Sequence, residues 1–194
     1  IIFISMLLNW EIPLLPIHLL WVNLLTDAFP ALALGTERKE PGLMQEPPRS
    51  PDEPIINRDM LVNIAVQSIV MTAAVLGAFY YGWKTYDIEM GRTYALVTLI
   101  ISELLRAYTC RSEKYSVFKI GVFSNRNMNL ATIFSFALLA VILFIPALRE
   151  VFSVSQLHLH DIDFMLAVGA MPLIFGELTK LVKGAVTRRK INKA

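Results

Sequence analysis

Three oxygen-bearing side chains stand close together inside an apolar stretch near the start of the sequence. Asn23, Thr26 and Asp27 are spaced i, i+3 and i+4, which places them on one face of a helix. Pro30 has no amide hydrogen for the carbonyl of Thr26, so the helix is predicted to kink or unwind there. Amide, carboxylate and carbonyl oxygens bind hard cations, and the pattern therefore indicates one wall of a cation path. The alternative is that these side chains only join helices through hydrogen bonds.

A second acidic residue, Glu103, lies in another apolar stretch. Counted at about 1.5 Å per residue from Leu14 and Gly91, Asp27 and Glu103 reach the same depth, so they could belong to one site. Arg106 follows Glu103 by three residues and could pair with it on the helix surface. The alternative for Arg106 is that its side chain extends to the membrane surface.

The elements that carry these residues are predicted to be membrane-spanning helices. The chain of 194 residues is 55% hydrophobic and has a mean hydropathy of +0.54, above the usual range for water-exposed domains. A bilayer core requires about 20 helical residues. Five stretches are long enough: Leu14 to Leu34, Met60 to Tyr81, Gly91 to Cys110, Met128 to Ile145, and Phe164 to Val182. We therefore expect an all-α, polytopic helix bundle with five full spans, preceded by a partial one at Ile1 to Leu8.

The distribution of basic residues predicts the orientation of these spans. The side expected to be cytoplasmic carries Arg38, Lys39, Arg49, Arg58, Arg111, Lys114, Lys119, Arg126, Lys180, Lys183, Arg188, Arg189, Lys190 and Lys193. The opposite side carries only Lys84, Arg92 and Arg149. The carboxy terminus is therefore predicted to be cytoplasmic.

Several functions are disfavoured by composition. A net charge of +2 offers no basic surface for nucleic acid, and Cys110 is the only cysteine, which excludes an intrachain disulfide and paired-thiolate zinc sites. Weaker candidates have simpler explanations: His18 as a packing residue, residues 158–163 as an exposed loop rich in His and Asp, and Glu177 with Lys180 as an interfacial ion pair.

Residues 37–59 are predicted to form a semi-rigid loop. The segment holds Pro41, Pro47, Pro48, Pro51 and Pro54 among charged residues, a composition that resists helix formation. Helix starts are predicted after Asn57 and after Ser124 or Asn125, because short polar side chains cap free backbone amides.

The sequence resembles the sixth transmembrane helix of calcium-transporting P-type ATPases of the bacterial type. The resemblance rests on residues 19–27 (LLWVNLLTD) and 30–35 (PALALG), and extends through residues 47–54 (PPRSPDEP), Glu103 and residues 111–113 (RSE). It implies that residues 1–194 are the C-terminal membrane domain, from the end of the fifth helix to the tenth. The loop at 37–59 and the tail at 183–194 would be cytoplasmic, in a bacterial plasma membrane.

The resemblance also implies which residues bind the transported ion. Asn23, Thr26, Asp27 and Glu103 are expected to coordinate Ca²⁺, whereas Arg106 departs from the two-site animal pumps and suggests one calcium per cycle. Mg²⁺ and ATP would bind outside this chain, because the Asp-Lys-Thr-Gly and Thr-Gly-Glu motifs of the family are absent from the sequence. The partners would be the lipid bilayer and the rest of the pump: its actuator, phosphorylation and nucleotide domains and helices one to five.

Two other functions remain open at this point. The helices could form a passive channel or secondary transporter, although the sequence has no internal repeat of the kind common in such transporters. They could also form a scaffold fragment that does not transport. In either case, this chain by itself is expected to have no ATPase activity.

Overall fold

The computed structural model describes residues 1–39, 44, 54, 56–112 and 114–191. Apart from an isolated 3₁₀ position at Met44, every regular element in these residues is an α- or π-helix, which confirms the predicted all-α fold. The predicted loop at 37–59 lies mostly outside the described residues. Part of the predicted tail, by contrast, continues the last helix to Ile191.

Ten α-helices and one π-helical turn follow one another in the described residues. They are α1 (Ile2–Leu7), α2 (Pro16–Trp21), the π-helical turn (Val22–Thr26), α3 (Ala28–Leu34), α4 (Arg58–Thr85), α5 (Ile88–Thr109), α6 (Val117–Ile120), α7 (Arg126–Phe144), α8 (Pro146–Phe152), α9 (Leu159–Gly169) and α10 (Met171–Ile191). The short helices α6 and α8 were not predicted. Each begins with a recognisable signal: the Ser116 side chain accepts a hydrogen bond from the Phe118 amide, and Pro146 occupies a first-turn position.

The helix starts follow from capping side chains. Asn57 accepts a hydrogen bond from the Met60 amide at 2.9 Å, and Asn125 accepts one from the Met128 amide at 3.0 Å. Both predicted caps are therefore confirmed, with Asn125 rather than Ser124 in the second case. Asp87 caps α5 in the same way, through the Met90 amide at 2.7 Å.

Four helical segments of the described residues are long and apolar enough to cross a membrane. They are Pro16–Leu34, Met60–Thr85, Arg126–Phe144 and His160–Val182. The third predicted span corresponds to α5, which has 22 residues but carries Glu89, Arg92, Glu103 and Arg106. The expected polytopic bundle is confirmed, with α5 as its most buried member: Tyr94, Leu96 and Ile100 are inaccessible to solvent.

The last predicted span is interrupted rather than continuous. Helix α9 ends at Gly169 and α10 begins at Met171, with Ala170 between them. Pro172 in the first turn of α10 has no amide hydrogen to continue the hydrogen bonding of α9. Gly169 packs closely on α5, since a Cβ atom there would lie 2.6 Å from Ile101 Cγ2.

Helices α4 and α5 pack through two glycines. A Cβ atom on Gly91 would lie 2.9 Å from Trp83 Cβ, and one on Gly82 would lie 3.0 Å from Tyr94 Cγ. Small residues of this kind let helix backbones approach closely in membranes, where dispersion contacts replace the hydrophobic effect. The packing fixes α5 in the bundle and so fixes the position of Glu103.

Candidate cation site

The helix that carries Asp27 is interrupted at the predicted place. The Asp27 amide donates to the Val22 carbonyl, five residues back, at 2.9 Å, and α3 starts only at Ala28. Because Pro30 offers no amide hydrogen, the Thr26 carbonyl receives instead a long hydrogen bond of 3.5 Å from the Ser135 hydroxyl. The helix is interrupted as predicted, but the irregular residues are Val22 to Asp27, whereas Pro30 itself lies in α3.

Asp27 and Glu103 face each other. Their carboxyl groups are close enough to interact with each other, as expected from the equal depth predicted for them in the two helices. The Oε2 atom of Glu103 is buried and receives no hydrogen bond from a donor among the described residues. Two carboxyl groups in this arrangement need a shared proton or a cation between them, because two bare negative charges at this distance repel strongly.

Asn23 and Thr26 are placed differently from each other. Thr26 is fully buried and its hydroxyl donates to the Val22 carbonyl at 2.7 Å. Asn23, in contrast, is exposed on the surface of this chain. The sequence spacing assumed a regular α-helix, and the π-helical turn alters the angles between these side chains. The face that was predicted to be continuous is therefore split between a buried hydroxyl and an exposed amide.

Arg106 lies in the last turn of α5. Its side chain is exposed and lines a cavity of about 310 Å³ together with Gln67 and Lys180. The charge of Arg106 acts on both Asp27 and Glu103, while the described residues show no salt bridge or hydrogen bond between Arg106 and either of them. Arg106 therefore influences the pair of carboxyls through space.

A group of four polar residues, the Glu37 clamp, holds the end of the helix that carries Asp27. It consists of Glu37, Arg111, Ser124 and Asn125. Arg111 binds both Glu37 oxygens, with Nε to Oε2 at 2.7 Å and Nη2 to Oε1 at 3.1 Å. Asn125 Nδ2 donates to Glu37 Oε2 at 2.9 Å and to the Ala33 carbonyl at 3.2 Å.

Arg111 is the centre of the Glu37 clamp. Besides Glu37 it donates to the carbonyls of Gly121 and Val122, both at 3.0 Å, and to the Ser124 hydroxyl. All five N–H groups of the guanidinium are thereby used, and the side chain is inaccessible to solvent. The hydrogen bonds from Arg111 hold the pKa of the Glu37 carboxyl below its usual range.

Sequence reasoning missed Ser135 and the pairing within the Glu37 clamp. Ser135 had a weak signal, since it is a polar residue within an apolar span, but nothing in its spacing pointed to Thr26. Glu37 and Arg111 are 74 residues apart, and no local pattern relates them. Asn125 was predicted only as a helix cap, whereas its side chain serves both the cap and the clamp.

The weaker candidates have structural contacts. His18 is buried and its Nε2 atom bonds to the Phe152 carbonyl. Lys180 pairs with Glu177 at 3.0 Å, as predicted for that pair. The prediction of an exposed loop at residues 158–163 was wrong, because residues 159–163 form the start of α9 and Asp161 is buried. His160 contacts Asp161 at 3.0 Å, and the described part of the chain has no cluster of three or more His, Cys, Asp or Glu suited to a metal ion.

Comparison with known proteins agrees with this arrangement. The family model "Cation transporting ATPase, C-terminus" matches residues 11–182. Calcium-transporting ATPase 1 of Bacillus cereus is 32% identical over 94% of this chain and 22% of its own length. The calcium-transporting ATPase of Bacillus subtilis is 31% identical over 96% of this chain and 20% of its own length. Human calcium-transporting ATPase type 2C member 1 is 28% identical over the whole chain and 21% of its own length.

The chain thus spans about a fifth of the length of the curated relatives that it matches. The family model covers the interrupted helix, both facing carboxyls and the Glu37 clamp. The predicted resemblance is confirmed, and the chain belongs to the family of cation-transporting ATPase C-terminal regions.

Proposed function

We propose that this chain is the membrane part of an ATP-driven calcium pump and that Asp27 and Glu103 bind the transported ion. The observation that carries the proposal is the proximity of these two carboxyls beside an interrupted helix, within a bundle whose helices are long and apolar enough to cross a membrane. An ionisable group at this depth costs at least about 2.5 kcal/mol to insert, so a facing pair of acids indicates a function. The names of the relatives favour calcium over other hard cations.

The two carboxylates provide only part of a calcium coordination shell. Ca²⁺ takes six to eight oxygen ligands, from carboxylates, amides, carbonyls and water. The interrupted helix would contribute Asn23, which is exposed on this chain, and Thr26, whose buried hydroxyl is bonded to the Val22 carbonyl. The remaining ligands would come from helices that this chain does not contain.

The facing carboxyls also explain how the ion could be released. When calcium leaves, a proton shared by Asp27 and Glu103 would remove the repulsion between them. Movement of the interrupted helix, driven by phosphorylation elsewhere in the pump, would open the pair to one side of the membrane and then to the other. Protons would in this way be transported in the direction opposite to that of calcium.

Arg106 would limit the number of calcium ions that the site can hold. Its positive charge already acts on both carboxyls, so a second divalent cation beside them would be repelled. We expect one calcium per ATP, measured as radioactive calcium uptake against phosphate release in sealed vesicles. A ratio near two would contradict this part of the proposal.

The remaining features of the pump are also proposals. Residues 1–194 would be its C-terminal membrane domain, with Mg²⁺ and ATP bound by the actuator, phosphorylation and nucleotide domains. The basic residues at one end of the spans support an orientation with the carboxy terminus in the cytoplasm, in a bacterial plasma membrane.

The test is the substitution Asp27→Asn in the intact pump. It keeps the size of the side chain but removes the charge, so ATP-driven calcium uptake into vesicles should fall by about 100-fold or more, since even outer-shell changes cost 10- to 100-fold in metal sites. Asp163→Asn is the matched control, because Asp163 is exposed on α9. Its uptake should equal that of the unchanged pump.

Each alternative predicts a different result. A scaffold without transport predicts that Asp27→Asn and Asp163→Asn behave alike. A passive channel predicts calcium entry that continues without ATP and is reduced by Asp27→Asn. Either result would overturn the assignment of a pump.

A further inference from the structure

A pocket at the basic end of the bundle lies outside the cation site. It has a volume of about 290 Å³ and is formed where α3 ends and the 111–125 segment folds back between α5 and α7. Its lining includes four basic residues, Arg38, Lys39, Arg111 and Lys119, and among the described residues a single carboxylate, that of Glu37. We call it the basic pocket.

The carboxylate in the basic pocket is already neutralised. Arg111 binds both oxygens of Glu37, and every N–H group of Arg111 is used. This pair therefore forms the wall of the pocket, and within the described residues no other carboxylate lines the pocket beside the remaining three basic residues.

Arg38, Lys39 and Lys119 have no ion-pair partner within the described residues. Arg38 and Lys39 are exposed, and the ammonium group of Lys119 lies 4.5 Å from the centre of the Tyr115 ring. The aromatic ring positions the Lys119 charge without neutralising it. Three positive charges with no ion-pair partner in the described part of the chain, around a pocket of this size, suit a phosphate group.

The position of the pocket indicates where the phosphate would come from. Arg111 and Asn125 join the end of α3 to the region between α5 and α7. Because α3 and α7 belong to segments long enough to span a membrane, this region is expected at the level of the lipid headgroups. Two large apolar side chains of this segment are exposed, Phe118 at 73% and Phe123 at 82%, and each is the sequence neighbour of a residue that lines the pocket, Lys119 or Ser124. Exposed aromatic residues beside basic ones are typical of segments that lie in the headgroup region of a bilayer.

We propose that the basic pocket binds the phosphate of an anionic phospholipid, with Lys39, Arg38 and Lys119 on the headgroup and Phe118 and Phe123 among the acyl chains. A phosphate free in solution would use the same three cations but not the two phenylalanines. The occupied pocket would lie directly against the Glu37 clamp, and so against the end of the helix that carries Asp27.

The experiment measures lipid retention by the intact pump. The pump is purified in neutral detergent with an equimolar mixture of phosphatidylglycerol and phosphatidylcholine, and the bound lipids are counted by native mass spectrometry. We expect preferential retention of phosphatidylglycerol. Lys119→Gln should reduce it about fivefold, and Lys39→Gln combined with Lys119→Gln should reduce it further by a similar factor.

Arg126→Gln is the matched control. Arg126 lies on the same end of the bundle, is exposed, and does not line the basic pocket. Its loss should change retention less than twofold. An equal loss for Arg126→Gln and Lys119→Gln would show general attraction to a basic surface and would overturn the proposal, as would unchanged retention in the double variant.

A second pair of measurements identifies the source of the phosphate. Phe118→Ser combined with Phe123→Ser should lower retention of phosphatidylglycerol at least as much as Lys119→Gln, and added inorganic phosphate should not displace the lipid. Displacement by inorganic phosphate, with no effect of the phenylalanine changes, would assign the pocket to a free phosphate and overturn the lipid proposal. Thermal unfolding in phosphatidylcholine nanodiscs verifies that each variant is folded.

Discussion

The two helices that present the facing carboxyls are built in opposite ways. Asp27 lies where one span is irregular, between the π-helical turn and α3, and its own amide donates five residues back, to Val22, instead of four. Glu103 lies in α5, an unbroken helix of 22 residues in the centre of the bundle. A cation site needs both parts: the broken helix frees oxygen atoms and can move, whereas the continuous helix holds its carboxylate in place.

The largest effect on stability is expected at the Glu37 clamp, which holds the end of the helix that carries Asp27. Arg111→Ala would remove the guanidinium that binds Glu37 and the carbonyls of Gly121 and Val122, and removal of one partner of a buried ion pair costs about 3 to 5 kcal/mol. Hydrogen–deuterium exchange of residues 121–125 in the intact pump measures this local free energy. Arg111→Lys should recover little, since an ammonium group cannot replace the bidentate contact; full recovery by lysine would contradict the role of the Glu37 clamp.

The continuous helix α5 should be sensitive to substitution at its contact with α4. Gly91→Ala places a methyl group 2.9 Å from Trp83 Cβ and 3.0 Å from the Trp83 backbone nitrogen, neither of which can move easily. We expect a destabilisation of about 1 to 3 kcal/mol, measured as a lower midpoint of denaturation. Gly77→Ala is the control, because its new methyl group meets no atom within 4 Å, and it should be neutral or slightly stabilising.

The interrupted helix that carries Asp27, by contrast, should become more stable when its regular backbone hydrogen bonding is restored. Pro30→Ala restores an amide hydrogen that the Thr26 carbonyl can accept, which is expected to add about 1 kcal/mol of local stability. The same change should lower calcium uptake several-fold, because it closes the break beside Asp27. Unchanged uptake together with a higher midpoint of denaturation would show that the break is not needed for transport.

The smallest effect concerns pH at the Glu37 clamp. The pKa of Glu37 is lower in the folded state than in the unfolded chain, so its contribution is present above the unfolded value and is lost as the pH falls through the folded value. We expect acidification below about pH 4 to increase hydrogen exchange at residues 121–125 by a few-fold. Glu37→Gln should remove this pH dependence, and its persistence in that variant would assign it to another group.

The sequence predicted the features that depend on local chemistry. The helix caps of Asn57 and Asn125, the break caused by Pro30, and the common depth of Asp27 and Glu103 all follow from residue type and from spacing along a helix. What could not be predicted depends on side chains distant in the sequence: the contact of Ser135 with Thr26 and that of Arg111 with Glu37. The separation of Asn23 from Thr26 was also missed, because the prediction assumed a regular helix.

The saturated guanidinium of Arg111 has a mechanical consequence. Since it joins Glu37 to the backbone of residues 121 and 122, α3 cannot be displaced along its axis without pulling on the segment that leads into α7. A displacement of the end of α3 would therefore also move the start of α7. The irregular segment near Asp27 would bend in response, while α5 would stay in place.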